Sequence, residues 1–189
     1  MFLYHGSYLL IRQPDLSYCR EGKDFGKGLY VTSDLWQARS FAKISSRKAR
    51  QNNTISEKEK KAYVSCFVYR PVEKSISEGS LDGMRVHEFL HADREWLRCI
   101  VAHRTRRLFP EEIEKWKDYD ILCGKIANDD TNATITAFIG GVFGDVNSER
   151  AMDTAISLLL PERLKDQMCF RTERALRALQ YQGYKEVIL

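Results

Sequence analysis

Three segments in the first 69 residues have the apolar and polar pattern of β-strands. Phe2 to Tyr4 is a short apolar run, and it ends at the polar segment His5-Gly6-Ser7. Leu29 to Thr32 is rich in β-branched and aromatic residues, and Ala62 to Tyr69 alternates between apolar and polar positions. We therefore predict a strand at each of the three segments.

Apolar residues at helical spacing predict helices between and after these strands. The predicted helices are a helix capped by Asp34 that runs to about Lys48, then Val86 to Arg104, Ala133 to Phe143, Glu149 to Leu160, and Glu173 to Gln182 with Thr172 as its N-cap and Gly183 after its end. Further strands are predicted at Tyr119 to Ala127, Gln167 to Phe170 and Tyr184 to Leu189. The order of elements predicts an α+β class with mixed or antiparallel strands.

Composition limits the chain to an ordinary globular protein. Its 189 residues are 43% hydrophobic, and the net charge is only +4. This size predicts a single domain over residues 1–189, and this charge is too small to indicate disorder or a nucleic-acid binder. Residues 45–61 are the most basic segment; we expect a solvated helix end and loop there, with a polyanion-binding surface as the alternative.

Cysteine usage and hydropathy predict the cellular compartment of the protein. The five cysteines are odd in number and widely spaced, which favours reduced thiols. No apolar run approaches the length of a membrane span, so we expect a cytoplasmic protein without a membrane partner. His87 and His91 are spaced as a helical metal pair, but no third ligand lies nearby in the sequence, and we expect no metal site.

Two glycine-containing segments carry the strongest functional signal. His5-Gly6-Ser7 is followed by Asp24-Phe25-Gly26-Lys27-Gly28-Leu29-Tyr30 and then by the helix after Asp34. In this order and spacing they resemble the H-G-[ST] and F-G-x-G-[IL]-Y segments of the ADP-ribosyltransferase superfamily. The likeness is to its H-Y-E branch, which contains diphtheria toxin and the poly(ADP-ribose) polymerases, and to an uncharacterised bacterial group within that branch. The resemblance implies split β-sheets around a cleft for NAD+, with flanking helices.

The resemblance also implies roles for individual residues. His5 would bind the adenosine ribose of NAD+, Gly6 would hold the nicotinamide carboxamide through its backbone, and Ser7 would add a hydroxyl hydrogen bond. Tyr30 would stack on the cationic nicotinamide ring, and Phe41, eleven residues later, would form the second wall. Gly28 would let the chain bend into the strand. We expect these residues to line one cleft.

The third family motif is a glutamate at the start of a late strand, and Gln167 holds that position here. A glutamate stabilises the positive charge that develops on the ribose, as in glycoside cleavage. An amide keeps the hydrogen bond to the ribose but lacks the charge, and it is unable to act as a general base. The sequence therefore predicts His5, Tyr30 and Gln167 as the catalytic residues and argues against chain elongation into poly(ADP-ribose).

Three functions fit these residues. The first is a mono-ADP-ribosyltransferase that cleaves NAD+ and modifies a protein or nucleic-acid acceptor, as a bacterial toxin-like effector restrained by an antitoxin-like partner. The second is an NAD+ glycohydrolase, in which water replaces the acceptor. The third is a catalytically silent module that binds NAD+ or ADP-ribose, which the missing glutamate favours. The resemblance places the transferase first, and a nucleic-acid-binding protein without NAD+ chemistry comes last, because it rests only on residues 45–61.

Overall fold

The computed structural model describes residues 1–70, 80–81, 83–126, 129–159 and 164–189. In these residues the chain forms eight strands, six α-helices and a short 3-10 helix at Leu16–Tyr18. The order is β1 (Phe2–Ser7), β2 (Leu29–Val31), α1 (Leu35–Gln51), β3 (Lys61–Tyr69), β4 (Ser80–Leu81), β5 (Met84–Glu88), α2 (Arg94–Thr105), α3 (Pro110–Trp116), β6 (Ile121–Lys125), α4 (Asp129–Ile139), α5 (Glu149–Leu158), β7 (Asp166–Phe170), α6 (Glu173–Arg177) and β8 (Leu179–Ile188).

The strands form two sheets. One sheet has the order β1-β3-β8 and is antiparallel, and the other has the order β2-β7-β6-β5-β4 with a single parallel pair between β5 and β6. The pair Tyr4 and Thr32 forms an isolated antiparallel bridge that joins β1 to the end of β2. The chain is thus α+β with antiparallel and mixed strands, as the pattern predicted.

Three apolar clusters fill the space around these sheets. The first lies between the sheets and includes Leu3, Phe67, Val31 and Phe170. The second covers the far face of the five-stranded sheet with α2, α4 and α5. The third lies where α1 packs on the three-stranded sheet, and it is built from small residues such as Ala38 and Ala42. Small side chains let this helix approach the sheet closely.

Most predicted elements are present, and their caps are the predicted residues. The Asp34 carboxylate accepts hydrogen bonds from the backbone N–H groups of Trp36 and Gln37 and begins α1. The Thr172 hydroxyl accepts one from Ala175 and begins α6. The predicted ends at Ala127 and Leu160 lie outside the described residues.

The predicted helix from Val86 to Arg104 is wrong over its first eight residues. Residues Met84–Glu88 form strand β5, and the helix begins only at Arg94, with Asp93 as its N-cap. Leu90, which the helical pattern placed in the core, is 68% exposed. Strand β5 pairs with the apolar strand β6, which lies more than thirty residues away in sequence. The local pattern of apolar residues gives no information about a partner at that distance.

The last predicted helix is also too long. Helix α6 ends at Arg177, and β8 begins at Leu179, so Gln180 and Gln182 lie in a strand. Gly183 has a φ of 128° and lies at an irregularity in the pairing of β3 with β8. A glycine that looked like a helix terminator therefore serves a bulge in a long edge strand.

The structure bears on the expected thiols, on membrane-spanning helices and on the basic segment. All five cysteines are free, as predicted. Among the described residues, no helix combines the length and the apolar character that crossing a membrane requires. In the basic segment, α1 continues to Gln51, and the Arg50 guanidinium donates a hydrogen bond of 2.6 Å to the carbonyl oxygen of Glu59. This bond ties the loop after α1 to the helix end.

Candidate functional site

Strands β1 and β2 separate next to the His5-Gly6-Ser7 segment. Tyr4 and Thr32 exchange two backbone hydrogen bonds of 2.8 and 3.0 Å. In a regular antiparallel pair the next exchange would join Gly6 to Tyr30. Instead, Nδ1 of His5 lies 2.8 Å from the carbonyl oxygen of Tyr30, so an imidazole occupies the place of a backbone N–H. We call this opening between Gly6 and Tyr30 the strand split.

Gly6 presents its backbone to the strand split. Because Tyr4 directs its N–H and C=O toward β2, strand alternation directs those of Gly6 to the same edge of β1. On its Cα side, Gly6 lies against α1: a Cβ there would overlap the carbonyl oxygen of Ala38 and lie 2.8 Å from the nitrogen of Ala42. The close packing of α1 therefore requires a glycine at this position. The sequence suggested a different reason, namely the binding of a ligand by the Gly6 backbone.

His5 is held in one tautomer. A carbonyl oxygen only accepts hydrogen bonds, so Nδ1 of His5 carries the proton that is donated to Tyr30. Burial lowers the pKa of His5, although the bond to the Tyr30 carbonyl partly opposes this effect. The ring is therefore neutral at pH 7, and its Nε2 carries a lone pair that is able to accept a hydrogen bond from a hydroxyl group.

Tyr30 uses its hydroxyl to fix the preceding loop. The hydroxyl donates a hydrogen bond of 2.7 Å to the carbonyl oxygen of Gly26 and accepts one of 2.8 Å from the N–H of Phe25. Burial raises the pKa of Tyr30 well above its ordinary value, so the hydroxyl stays protonated and remains a donor. The sequence indicated an aromatic face at Tyr30, and the structure adds a structural role for its oxygen.

The rings of His5 and Tyr30 leave the strands on opposite faces. Leu3 belongs to the cluster between the sheets, and alternation along β1 directs His5 to that same face. Tyr30 packs instead against the cluster on the helix-covered face of the five-stranded sheet. The two residues share the edge of the strand split, but their rings lie on opposite sides, so the prediction that both rings line one cleft is wrong.

Gln167 lies in a buried polar group. It is 5% exposed, and its side-chain Nε2 donates a hydrogen bond of 2.8 Å to Oδ2 of Asp24. The other carboxylate oxygen of Asp24 lies 2.8 Å from Nε and 2.6 Å from Nη2 of Arg104. The Gln167 amide is therefore next to a carboxylate that is paired with a guanidinium.

The remaining predicted residues lie at the end of β1, before β2 and on α1. Ser7 is buried, and its hydroxyl accepts a hydrogen bond of 3.2 Å from the N–H of Leu9. Gly28 lies against β7, where a Cβ would come within 2.5 Å of the Cys169 sulfur. Phe41 is half-buried on α1, directly before Ala42, the residue that contacts Gly6. The second predicted wall thus lies on α1, the helix that packs against Gly6.

Sequence reasoning gave no role to Asp24 or Arg104. Asp24 precedes the F-G-x-G segment, and that position was the one available signal for it. Arg104 lies 80 residues further along the chain, at the end of α2, and only the fold brings it to Asp24. No local pattern marks a pair of this kind.

The histidines give no metal centre. His87 lies in β5 and packs beside Phe89 and Trp116, so it does not share a helix face with His91. Burial lowers the pKa of His87. Within the described ranges, no group of three or more His, Cys, Asp or Glu side chains is placed to hold a metal ion.

The fold and site define an α+β protein whose two sheets separate beside a His-Gly-Ser segment. The sequence model of one protein family, described as "Protein of unknown function (DUF3990)", matches residues 1–181. The chain belongs to this family. No curated protein and no solved structure shows a significant match to the chain.

Proposed function

We propose that this protein is a mono-ADP-ribosyltransferase that binds NAD+ at the strand split and transfers ADP-ribose to a macromolecular acceptor. The observation that carries the proposal is the geometry between Gly6 and Tyr30. The two segments that resemble the ADP-ribosyltransferase motifs lie on strands joined at Tyr4 and Thr32, and these strands separate at the motif residues themselves. The fold would accordingly be the split-sheet ADP-ribosyltransferase type.

The strand split offers groups that are complementary to the carboxamide and to the adenosine ribose of NAD+. A carboxamide has a donor and an acceptor, and the Gly6 N–H and C=O, directed to the split, match both. The Nε2 lone pair of His5 is suited to a ribose hydroxyl. These contacts position the dinucleotide across the split.

Aromatic side chains would stabilise the cationic nicotinamide ring. Tyr30 borders the split on one side, and Phe41 lies on the covering helix near Gly6. A desolvated cation–π contact contributes about 2 kcal/mol. Because the Tyr30 hydroxyl is held by Phe25 and Gly26, the ring has a fixed position before NAD+ binds.

The lack of a net negative charge around Gln167 supports the transfer of a single ADP-ribose unit. The Asp24 carboxylate is close, but Arg104 balances its charge, so the group adds little net negative potential for a developing ribose cation. The amide also lacks the basicity that activates a second ribose hydroxyl. Slow single transfer fits this arrangement, and an antitoxin-like partner would be a restraint of the kind expected for a toxin-like effector.

A catalytically silent NAD+ or ADP-ribose binding module is the second candidate. The hydrogen bond from Gln167 to Asp24 favours it, because an amide already bound by a buried carboxylate is not free to turn toward a ribose. An NAD+ glycohydrolase would use the same residues with water as the acceptor. The three functions differ in whether nicotinamide is released and in whether ADP-ribose becomes attached to a macromolecule.

The proposal is tested by incubating the purified protein with NAD+ alone and with a cell lysate, while free nicotinamide and labelled ADP-ribose on macromolecules are measured separately. A transferase releases nicotinamide together with labelling that depends on the lysate. Release without lysate and without labelling identifies a glycohydrolase. Tight NAD+ binding with no release identifies the binding module.

A further inference from the structure

A cavity lies beside the F-G-x-G loop. It has a volume of about 220 Å³ and is lined by Gly26 and Lys27 of the loop, His103 of α2, Lys117 after α3, and Arg171 and Thr172 after β7. We call it the His103 cavity. None of the residues assigned to NAD+ above lines it.

The deepest group in this cavity is an imidazole with one unused nitrogen. His103 is 4% exposed, and its Nδ1 lies 2.9 Å from the carbonyl oxygen of Cys99. Among the described residues, no hydrogen-bond partner reaches its Nε2. The Nε2 edge of the ring faces the loop, because a Cβ at Gly26 would lie 2.6 Å from Cδ2 and 3.3 Å from Nε2. Gly26, with a φ of 79° and no side chain, lets the loop backbone pass this close to the ring.

The chemistry of the unused nitrogen follows from its partner. The Cys99 carbonyl accepts the proton of Nδ1, so Nε2 of the neutral ring has a lone pair. Burial lowers the pKa of His103, and the charge of Arg171 lowers it further, which keeps the ring neutral. A buried acceptor without a partner is costly and needs a ligand hydroxyl or amine to satisfy it.

The rim of the cavity is cationic. Four cationic side chains and one carboxylate, that of Glu21, line it. Arg171 carries a second unused group, because its buried Nε has no partner among the described residues while its Nη1 donates to the carbonyl oxygens of Trp116 and Tyr119. Lys27 is exposed at the edge of the cavity. Guanidinium and ammonium groups arranged in this way suit a phosphate.

The geometry points to a binding site for a small phosphorylated sugar, whose phosphate contacts Lys27 and Arg171 while a sugar hydroxyl donates a hydrogen bond to Nε2 of His103. The volume limits the ligand to this size, because pockets for drug-sized molecules commonly span about 300–1,000 Å³. The inference does not depend on NAD+ chemistry, so either proposal is able to fail alone.

Calorimetric titrations with ribose 5-phosphate, inorganic phosphate and ribose test the inference. We expect ribose 5-phosphate to bind the wild-type protein more tightly than either fragment. Lys27→Gln removes an exposed charge and should weaken this binding by about 3- to 10-fold, whereas Lys43→Gln, the same change on α1, should leave it unaltered.

His103→Asn tests the buried acceptor. The asparagine amide is able to replace the Nδ1 bond to Cys99, but it lacks the Nε2 lone pair, and ribose 5-phosphate should bind about 3- to 10-fold more weakly. Three results would overturn the inference: no binding of ribose 5-phosphate, equal affinity for ribose 5-phosphate and inorganic phosphate, or wild-type affinity in Lys27→Gln. The last result does not depend on whether the His103 variant folds.

Discussion

The side-chain amide of Gln167 donates a buried hydrogen bond of 2.8 Å to the carboxylate of Asp24. Asp24 in turn contacts the guanidinium of Arg104, so one negative and one positive charge share the group with a neutral amide. This charge balance makes glutamine a compatible residue at position 167, which the resemblance aligns with the glutamate of the H-Y-E branch. A carboxylate there would face a second carboxylate, that of Asp24, and the two would share the guanidinium of Arg104.

The first prediction is that Gln167→Glu destabilises the protein at neutral pH by about 1–3 kcal/mol. The new carboxyl would have a raised pKa in the folded protein. The loss of stability is therefore absent at pH values below the ordinary glutamate pKa and complete at pH values above the raised pKa. Urea denaturation should therefore show a smaller loss at about pH 4 than at pH 7. An equal loss at both pH values would contradict the charge argument.

Pairing this change with Asp24→Asn restores the balance of charge, since Arg104 then faces a single carboxylate. We expect Asp24→Asn/Gln167→Glu to be more stable than Gln167→Glu alone and to release nicotinamide from NAD+ faster than the wild type, because the charge now lies at the family position. Gln167→Ala should release it more slowly. Wild-type rates in all three variants would remove Gln167 from the reaction.

The second prediction separates the ring of Tyr30 from its hydroxyl. Tyr30→Phe loses the bonds to Phe25 and Gly26 and should reduce the free energy of unfolding by about 1–2 kcal/mol, with only a small effect on NAD+ affinity. Tyr30→Ala should also lose about 2 kcal/mol of NAD+ binding. Tyr18→Phe is the matched control, because Tyr18 is 86% exposed. Equal NAD+ affinity in Tyr30→Ala and the wild type would exclude the stacking role.

The third prediction concerns Gly6. A methyl group there would overlap α1, so Gly6→Ala should destabilise the protein by about 1–3 kcal/mol or displace the helix. Gly140→Ala is the control, since the nearest atom to its Cβ lies 3.4 Å away. Thermal unfolding of both variants measures the difference. If Gly6→Ala were as stable as Gly140→Ala, the close packing of α1 on β1 would be refuted.

The fourth prediction is a pH dependence that arises at Asp120. Burial alone would raise the pKa of this carboxyl, but hydrogen bonds from Arg174, Thr172 and the N–H of Arg85 lower it overall. A lowered pKa stabilises the fold above the unfolded pKa, and that stability is lost as the pH falls through the folded pKa. Asp120→Asn should therefore lose less stability than the wild type between neutral pH and about pH 3. Parallel pH profiles would contradict this.

Local signals in the sequence predicted those parts of the fold that depend on neighbouring residues. The caps at Asp34 and Thr172 and the strands at Leu29 and Gln167 follow from residue type and short-range pattern. Strand β5 was missed, because its pairing with β6 is the deciding interaction and lies far away in sequence.

The candidate site shows the same division. The sequence motifs predicted His5 and Tyr30 as site residues. The fold places Nδ1 of His5 2.8 Å from the carbonyl oxygen of Tyr30. The partners Asp24 and Arg104 required the tertiary structure, as did the opposite faces of the His5 and Tyr30 rings. Strand alternation is readable in sequence, but the face that each strand turns toward the other sheet is not.

The central claim, that NAD+ binds at the strand split, is tested most directly by calorimetric titration of NAD+ into the wild-type protein, His5→Ala and His91→Ala. His5 borders the split, while His91 is exposed in the loop before α2 and serves as the control. We expect the wild type and His91→Ala to bind NAD+ equally, and His5→Ala to bind about tenfold more weakly or not at all. Absence of NAD+ binding by the wild type, or unchanged binding in His5→Ala, would contradict the claim.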